Sequence, residues 1–470
     1  MTAGQLGGIA ARVLQSQAVR ASLLTSFAQA ASAALGLISL LLLSRLVSPA
    51  LLGQTMTAIA LVSLLSIAAS MNVEAGAIRF LSTPDRSAQR RHITWSRKLI
   101  LGASFPLGGI AAFWGLGYGG GTPGAVAAMA ILVPLVAAVR MTARHGSVLG
   151  HPVTTFLPRL FARPVAFLAV SAAILWAGLT PDMAHILLGW AAVLGVALTW
   201  QLVSLPLPAA DSAKSPEQPS LWLGHGMKLI PSLLILEYLR EFVTLSAAVG
   251  LPPGDIAAMG IAFSLATIPG FLIGGVEIGH ASALSTAWQS GRIATARVLR
   301  RIALLRLGAG VVGVCLLGLV QGPLLAWIGP GYHGVSALLM PAAAIQLVRC
   351  LVGNPVQLLS LTGHPGLVMR QMIWGLPLLA FGIAVAALTG RPDLCMWAAA
   401  LGYGALYLRL RGAALRTTGL ECSCLTVLPL ARVPGTSRRH GGTTADPLRQ
   451  VVRGVLPAHL SAGPPDQSPR

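Results

Sequence analysis

The sequence predicts an all-α polytopic membrane protein with twelve transmembrane helices in two six-helix lobes. Three observations predict this class: an apolar composition, an alternation of basic and uncharged loops, and a repeat between the two halves. Of the 470 residues, 55% are hydrophobic and 10% are charged, and the mean hydropathy is +0.75. Soluble domains carry about 25% charged residues. Most of this surface is therefore suited to lipid rather than to water.

Twelve apolar segments are long enough to cross a bilayer, which takes about 20 residues of helix. Spans 1 to 12 are predicted at residues 21–44, 56–77, 99–117, 124–143, 160–178, 184–205, 226–249, 255–278, 302–323, 336–359, 369–389 and 393–410. Several spans contain Pro, which membrane helices tolerate where neighbouring groups satisfy the freed backbone.

The loops predict that both chain termini face the cytoplasm. Basic residues precede span 1 and follow every even-numbered span. Examples are Arg90 and Arg91 after span 2, and Arg144 and Arg159 after span 4. The intervening loops, such as "GLTPDM" and "TGRPD", are short and nearly uncharged. Cytoplasmic loops collect Lys and Arg. The net charge of +20 is therefore explained by the basic loops on the cytoplasmic side of the membrane, and we predict no nucleic-acid partner.

Composition divides the chain into five segments. We predict a cytoplasmic N-terminus at 1–20, an N-lobe of spans 1–6 at 21–205, a cytoplasmic linker at 206–225, a C-lobe of spans 7–12 at 226–410, and a basic cytoplasmic tail at 411–470. The tail is rich in Gly and Pro and is expected to be disordered. The five cysteines show no spacing typical of a metal site or a disulfide framework, so we predict no metal and no cofactor.

The two halves carry a partial repeat. The end of span 2 reads "VEAGAIRFLS" (73–82) and the end of span 8 reads "VEIGHASALS" (276–285), with Val, Glu, Gly, Leu and Ser at matching positions. Spans 1 and 7 both start from the cytoplasm, so the halves have the same orientation. Such halves are related by an axis along the membrane normal, as in some secondary transporters.

Two stretches resemble a known family. "LLSRLVSPALLGQTMTAIALVSLLSIAASMNVEAGAIRF" (42–80) is similar to the family opening, in which an Arg and a short turn join spans 1 and 2 and an Arg-Phe pair closes span 2. "LLAWIGPGYHGVSALLMPAAAIQLVRCLVGNPVQLLSLTGHPGLVMRQ" (324–371) resembles the family turns before spans 10 and 11. This family is that of the Wzx-type O-antigen and exopolysaccharide flippases, a polysaccharide branch of the multidrug/oligosaccharidyl-lipid/polysaccharide exporter superfamily. The stretch "GDIAAMGIAF" entering span 8 departs from the family's Gly-x-Tyr pattern.

The resemblance implies a V-shaped pair of lobes whose central cavity opens alternately to either side of the bacterial cytoplasmic (inner) membrane. The implied substrate is an oligosaccharide on a polyprenyl pyrophosphate, flipped for lipopolysaccharide or exopolysaccharide biosynthesis. Membrane lipids and polysaccharide polymerase machinery are the implied partners. The resemblance implies a transporter and not an enzyme.

The stretch "LLILEYLREFVTL" (233–245) places three charges within span 7. Glu237, Arg240 and Glu241 have i, i+3 and i+4 spacing, so we expect them to share one helical face. A charge at the membrane centre costs about 2.5–3.5 kcal/mol on insertion scales, so these three must face the bundle interior or water. One interpretation is a structural salt bridge. We favour the other, a cavity wall on which Arg240 meets the substrate phosphate.

Other charged residues in the spans are candidates for the same cavity. Arg349 lies within span 10, and Arg45 and Arg79 lie at the outer end of span 1 and the inner end of span 2. Arginine suits a pyrophosphate, although Arg45 and Arg79 also suit snorkelling to the membrane surface. Glu74 and Glu277 match in the repeat. They are candidates for a coupling-proton site or for a salt-bridge gate at the cytoplasmic side.

Three alternative functions stay open. A cation-coupled drug exporter of the same superfamily would share the fold. Such exporters resemble one another in a carboxylate inside the first lobe, whereas spans 1, 3, 4, 5 and 6 lack a mid-membrane Asp or Glu. A polysaccharide polymerase or glycosyltransferase would need a sizeable outer loop, and every predicted outer loop is short. A flippase for the peptidoglycan precursor would carry two further spans.

Overall fold

The computed structural model describes residues 17–81, 85–118, 122–205, 219–328, 330–332 and 334–427, whose regular secondary structure is helical. Most of the predicted linker and tail, namely residues 206–218 and 428–470, lie outside the described residues, as do residues 1–16. The α-helices are α1 (Gln17–Leu46), α2 (Pro49–Ser70), α3 (Ala77–Leu81), α4 (Arg86–Tyr118), α5 (Pro123–Val148), α6 (Pro152–Ala177), α7 (Met183–Ser204), α8 (Pro219–Leu236), α9 (Leu239–Ala247), α10 (Pro253–Gly279), α11 (Ala281–Gln289), α12 (Arg292–Ile328), α13 (Val335–Val352), α14 (Pro355–Leu361), α15 (Pro365–Ala387) and α16 (Pro392–Thr418).

Each predicted span coincides with a helix or with a pair of helices. Within the described residues, 10 helices are individually long and apolar enough to cross a membrane. The other two spans differ for separate reasons. Span 7 is divided between α8 and α9, and α16, the helix of span 12, carries charged residues near both ends. The predicted all-α, multi-span fold class is confirmed.

The continuous helix predicted for span 7 is wrong, because the chain leaves the helical conformation between α8 and α9. Tyr238 has φ −120° and ψ 19°. Two contacts with the N-lobe accompany this break. The Arg140 guanidinium lies over the Tyr238 ring at 5.7 Å from its centroid, and Glu237 pairs with Arg159 at 3.2 Å. Glu237 therefore does not share one uninterrupted helical face with the two charges that follow it.

The two lobes pack with the same helix neighbours. In the N-lobe, α2 packs against α4 and α5, α5 packs against α7, and α6 packs against α1 and α7. In the C-lobe, α10 packs against α12 and α13, α13 packs against α16, and α15 packs against α16 and the α8–α9 pair. Helices that correspond in chain order thus have corresponding neighbours, as the sequence repeat predicts.

The lobes meet closely where α2 and α10 begin. A Cβ atom placed on Gly53 would lie 1.6 Å from the carbonyl oxygen of Pro253, and one placed on Gly260 would lie 2.1 Å from Met56 Sδ. Only glycine allows the Gly53 backbone to approach the facing backbone this closely. This close contact fixes one end of the interface between the lobes.

The beginning of α8 packs on the opposite end of α2. Asn72 follows α2 and its Nδ2 donates to the carbonyl oxygen of Gly226 at 3.5 Å. The Trp222 ring packs edge-on against His92 at 4.8 Å and lies 5.3 Å from the Trp95 ring. Since α8 also packs against α15, it contacts both lobes. The polar middle of the bundle lies between these two contact zones.

Candidate functional site

Two adjoining cavities lie between the lobes. The first, of about 340 Å³, is lined by residues of α1, α5 and α6 together with residues of the α8–α9 break, α9 and α10. The second, of about 510 Å³, is lined by residues of the same break and of α9, α10 and α13, among others. Arg240 and Glu241, at the start of α9, line both cavities. Two of the three charges predicted to face the bundle interior therefore stand on the wall that the cavities share.

Arginines outnumber carboxylates on the described part of these walls. The charged lining residues are Arg140, Arg159, Arg163, Arg240, Arg349, Glu237 and Glu241. Charges away from bulk water are weakly screened, and a cleft lined by one sign of charge concentrates the opposite ion. Glu237 and Glu241 offset two of the five arginines, and Arg140 and Arg349 pair with Glu74 and Glu277 outside the walls. The remaining excess is one positive charge, which favours an anion over a cation.

Two arginines of α6 face two glutamates at the α8–α9 break. Arg159 Nη2 lies 3.2 Å from Glu237 Oε2, and Arg163 Nη1 lies 3.3 Å from Glu241 Oε1. The two arginines are four residues apart in the chain, and so are the two glutamates. The earlier arginine pairs with the earlier glutamate, and the later arginine with the later glutamate. This order of pairing requires that the two segments run in the same direction. Spans 5 and 7 are both odd-numbered, so they are predicted to cross the membrane in the same direction.

Glu241 is shared between two arginines. Its Oε1 accepts from Arg240 Nη2 at 2.8 Å and from Arg163 Nη1 at 3.3 Å, and Arg240 Nη1 also donates to Ser264 Oγ at 3.5 Å. One carboxylate cannot neutralise two guanidinium groups. A positive charge in excess is therefore concentrated at the common wall, where an incoming anion could replace or join Glu241.

Glu74 lies in a buried ion pair of the N-lobe. Met71 and Asn72 adopt left-handed conformations (φ 46° and 53°) that end α2 and lead into the 3-10 turn bearing Glu74. Glu74 Oε1 then lies 2.6 Å from Arg140 Nη2, and the two side chains are 6% and 4% exposed. Arg140 also donates to Ser70 Oγ at 2.5 Å and to the Tyr238 hydroxyl at 3.4 Å. The pair links α2 and α5 to the break in span 7.

Glu277 forms the matching pair of the C-lobe. Its Oε2 lies 2.6 Å from Arg349 Nη2, in the last turn of α13. Arg349 is 25% exposed and lines the second cavity, whereas Glu277 is 5% exposed. Behind Glu277 lies the buried Arg306, whose Nη1 is 4.0 Å from Glu277 Oε1. Asn354 Nδ2 also donates to Glu277, at 3.5 Å.

The remaining sequence candidates lie elsewhere. Arg45 is exposed and its guanidinium lies over the Trp327 ring at 5.2 Å, away from the residues that line the two cavities. Arg79 lies on α3, but its side chain is outside the described part of the structure. Within the described residues, no three His, Cys, Asp or Glu side chains are grouped closely enough to hold a metal ion.

Four arginines of this network were missed by the sequence reasoning. They are Arg140, Arg159, Arg163 and Arg306. Arg140 lies within predicted span 4, and Arg159 was assigned to a cytoplasmic loop although it lies on α6. The matching i, i+4 spacing of Arg159 and Arg163, both on α6, and of the two glutamates in span 7 is the signal that could have paired them.

Two equivalent helical lobes with charged cavities between them define the class: an all-helical polytopic membrane protein. The fold is similar to that of a solved structure described as the inward-facing conformation of a multidrug resistance MATE family transporter of the MOP superfamily. It matches with a TM-score of 0.58 and 11% sequence identity over 83% of this chain and 99% of that chain. No protein-family model and no curated protein matches the sequence. The likeness shows the fold, and the chain shares it.

Proposed function

We propose that this protein is a flippase that moves polyprenyl-pyrophosphate-linked oligosaccharide units across the bacterial cytoplasmic membrane by alternating access. The product would serve surface polysaccharide synthesis, with both chain termini in the cytoplasm and a polymerase as a neighbouring partner. The observation that carries this proposal is the arginine excess on the cavity walls between the lobes. The proposal includes no catalytic step.

A pyrophosphate is the part of such a substrate that most needs protein contacts inside the membrane. Guanidinium groups bind phosphate oxygens through paired, charge-assisted hydrogen bonds. Arg163 and Arg240 share one carboxylate, so they have donor capacity for a phosphate on the common wall. Arg349 stands on the second cavity at 25% exposure and would receive the headgroup as it moves between the lobes. The polyprenyl chain would stay in the lipid.

A cation-coupled drug exporter is the second candidate, because the fold likeness to a multidrug resistance transporter is equally consistent with it. Two features favour the flippase. An excess of arginine on the walls repels a cationic drug, and the buried carboxylate of the N-lobe, Glu74, is already paired with Arg140 at 2.6 Å. A polymerase or glycosyltransferase is less favoured, because the predicted outer loops are short.

The test is a flipping assay on purified protein in liposomes. The probe is a polyprenyl-pyrophosphate oligosaccharide with a fluorophore on the sugar, and a membrane-impermeant reductant quenches the label on the outer leaflet only. We expect quenching beyond half of the signal with the protein present and no efflux of the cationic dye ethidium. The control is Arg301→Ala, because Arg301 is an exposed arginine of α12 that lines neither cavity, and this variant should flip at the parent rate. Ethidium efflux without lipid flipping would overturn the proposal in favour of the exporter.

A further inference from the structure

Residues 419–427, which we name the C-terminal strap, follow α16 and pack against α12 and α13. Two ionic or polar contacts fasten this segment. Arg292 Nη2 donates to the carbonyl oxygen of Gly419 at 2.7 Å. Arg411 donates to both carboxylate oxygens of Glu421, at 2.8 and 2.6 Å. Cys422 is buried in the middle of the strap.

The strap supplies a backbone acceptor to the buried Arg306. This side chain is 2% exposed. Its Nη2 donates to the carbonyl oxygen of Cys422 at 3.0 Å, and its Nε donates to the carbonyl oxygen of Cys350 at 2.7 Å. Gly353 makes room for the strap, since a Cβ atom there would lie 2.2 Å from the same Cys422 oxygen. A buried charge requires such partners, so Arg306 is satisfied by carbonyls of α13 and the strap.

Arg306 also lies close to Glu277, the carboxylate that pairs with Arg349 in the second cavity. Glu277 Oε2 binds Arg349 at 2.6 Å, while its Oε1 faces Arg306 Nη1 at 4.0 Å and has no hydrogen-bond partner among the described residues. With the strap docked, Arg306 is engaged by the Cys422 carbonyl. With the strap released, Arg306 loses that acceptor and its nearest anion is Glu277.

We propose that the C-terminal strap controls Arg349: the docked strap keeps Arg349 paired with Glu277, and release of the strap frees Arg349 for an anion in the second cavity. Arg306 is the positioning residue of this device. The anion's identity as a pyrophosphate headgroup rests on the proposed function. The coupling between the strap and Arg349 does not depend on the proposed function. Coupling between two sites is reciprocal, so an event that removes Arg349 from Glu277 must also loosen the strap.

Cys422 is a reporter of strap opening already present in the chain. Burial raises the pKa of its thiol to about 12, and the thiolate is the reactive form, so the docked strap should react slowly with N-ethylmaleimide. We would use the full-length protein with the other four cysteines replaced by Ser, in lipid nanodiscs, and measure the alkylation rate of Cys422 by mass spectrometry. Arg411→Ala, which removes the partner of Glu421, should raise this rate and sets the scale. Because Arg411 lowers the pKa of the Cys422 thiol, its loss without strap opening would slow the reaction instead.

The first arm needs no ligand. Arg349→Gln should raise the alkylation rate about fivefold or more, because Glu277 then attracts Arg306 away from the strap. Arg349→Lys keeps a cation beside Glu277 and should restore the slow rate, which a mere loss of packing would not do. Arg45→Ala, an exposed arginine outside both cavities, is the matched control and should leave the rate unchanged. An Arg349→Gln rate equal to that of the parent protein would overturn the proposal.

The second arm adds inorganic pyrophosphate at constant ionic strength. It should speed Cys422 alkylation in the parent protein and have no effect in Arg349→Gln, while calorimetry records the binding itself. Pyrophosphate that binds without changing the rate would overturn the strap's control of Arg349. If pyrophosphate does not bind and Arg349→Gln still raises the rate, the strap proposal is supported and the proposed function fails.

Discussion

Glu74 and Glu277 occupy equivalent positions in the two lobes, and each lies 2.6 Å from an arginine located two spans later in the chain. The two ion pairs differ in exposure. Arg140 is 4% exposed, whereas Arg349 is 25% exposed and lines a cavity. The ion pair of the N-lobe is therefore a buried link between helices, whereas the arginine of the C-lobe pair is accessible from a cavity. Substitutions in the two pairs should have different consequences.

Glu74→Gln should destabilise the protein. Removing one partner of a buried ion pair leaves the other charge uncompensated, which costs about 3–5 kcal/mol. The measurement is the thermal unfolding midpoint of the purified protein in detergent. The double substitution Glu74→Gln with Arg140→Gln should recover part of the loss, because it removes both charges.

Arg391→Ala is the matched control for this prediction. Arg391 pairs with Asp393 at 2.6 Å, but its side chain is 62% exposed, and exposed ion pairs contribute little to stability. We expect no measurable change in its midpoint. An unfolding midpoint for Glu74→Gln equal to that of Arg391→Ala would contradict the structural role of the buried pair.

Arg163→Ala, Arg240→Ala and Arg349→Ala should each lower the flipping rate while the protein remains inserted. In the proposed function each of these arginines donates charge-assisted hydrogen bonds to a phosphate, which are worth about 1.5–3 kcal/mol, or roughly ten- to a hundredfold in rate. The measurement is initial quenching in the liposome assay at matched protein content. Arg45→Ala should flip at the parent rate, because Arg45 packs on Trp327 outside the cavities. Equal losses for Arg45 and the cavity arginines would argue for a general effect on folding.

Glu237→Gln should strengthen anion binding. Glu237 is 51% exposed and pairs with Arg159 at 3.2 Å, so neutralising it releases a cavity arginine at small structural cost. Because partly exposed pairs are worth about 0–1 kcal/mol, the dissociation constant of inorganic pyrophosphate should fall by about fivefold at most. Titration calorimetry at two salt concentrations checks this, and the gain should shrink at high salt. Weaker binding would show that Glu237 orients Arg159 rather than competing for it.

Gly53→Ala should impair the contact between the lobes more than Gly260→Ala. The new Cβ at Gly53 meets the Pro253 backbone, whereas the new Cβ at Gly260 meets the flexible Met56 side chain. Overpacking of this kind costs about 1–3 kcal/mol. The unfolding midpoint measures both, and Met56→Ala should rescue Gly260→Ala but leave Gly53→Ala unchanged. The reverse order of severity would be inconsistent with this packing.

The sequence predicts the spans well because their signal is local. Apolar runs and loop charge predict twelve spans. Each predicted span coincides with a helix or a helix pair, and 10 helices of the described residues are individually long and apolar enough to cross a membrane. The break at Tyr238 has no such signal, since neither Pro nor Gly stands at this residue or next to it. It is accompanied by contacts of Tyr238 with Arg140 and of Glu237 with Arg159, which are separated by 98 and 78 residues in the chain. A tertiary contact of this kind overrides the local helical preference.

The cavity charges were predicted only in part for the same reason. Arg240, Glu241 and Arg349 stand in the middle of apolar spans, where a charge draws notice. Arg159 lies near the beginning of its helix and looks like an ordinary loop cation. Its role emerges only when α6 is placed beside the break in span 7. Which carboxylate pairs with which arginine is a property of that packing.

The interruption at Tyr238 has a mechanical consequence. The start of α8 is attached to the N-lobe through Trp222 and Gly226, and α8 also packs with α15 of the other lobe. Any rocking of one lobe against the other must bend the chain somewhere along this segment, and a point already outside the helical conformation yields with the least loss of hydrogen bonds. Glu237 lies next to this break and pairs with Arg159. A ligand that draws Arg159 away from Glu237 would therefore also remove one of the contacts that hold the break in place.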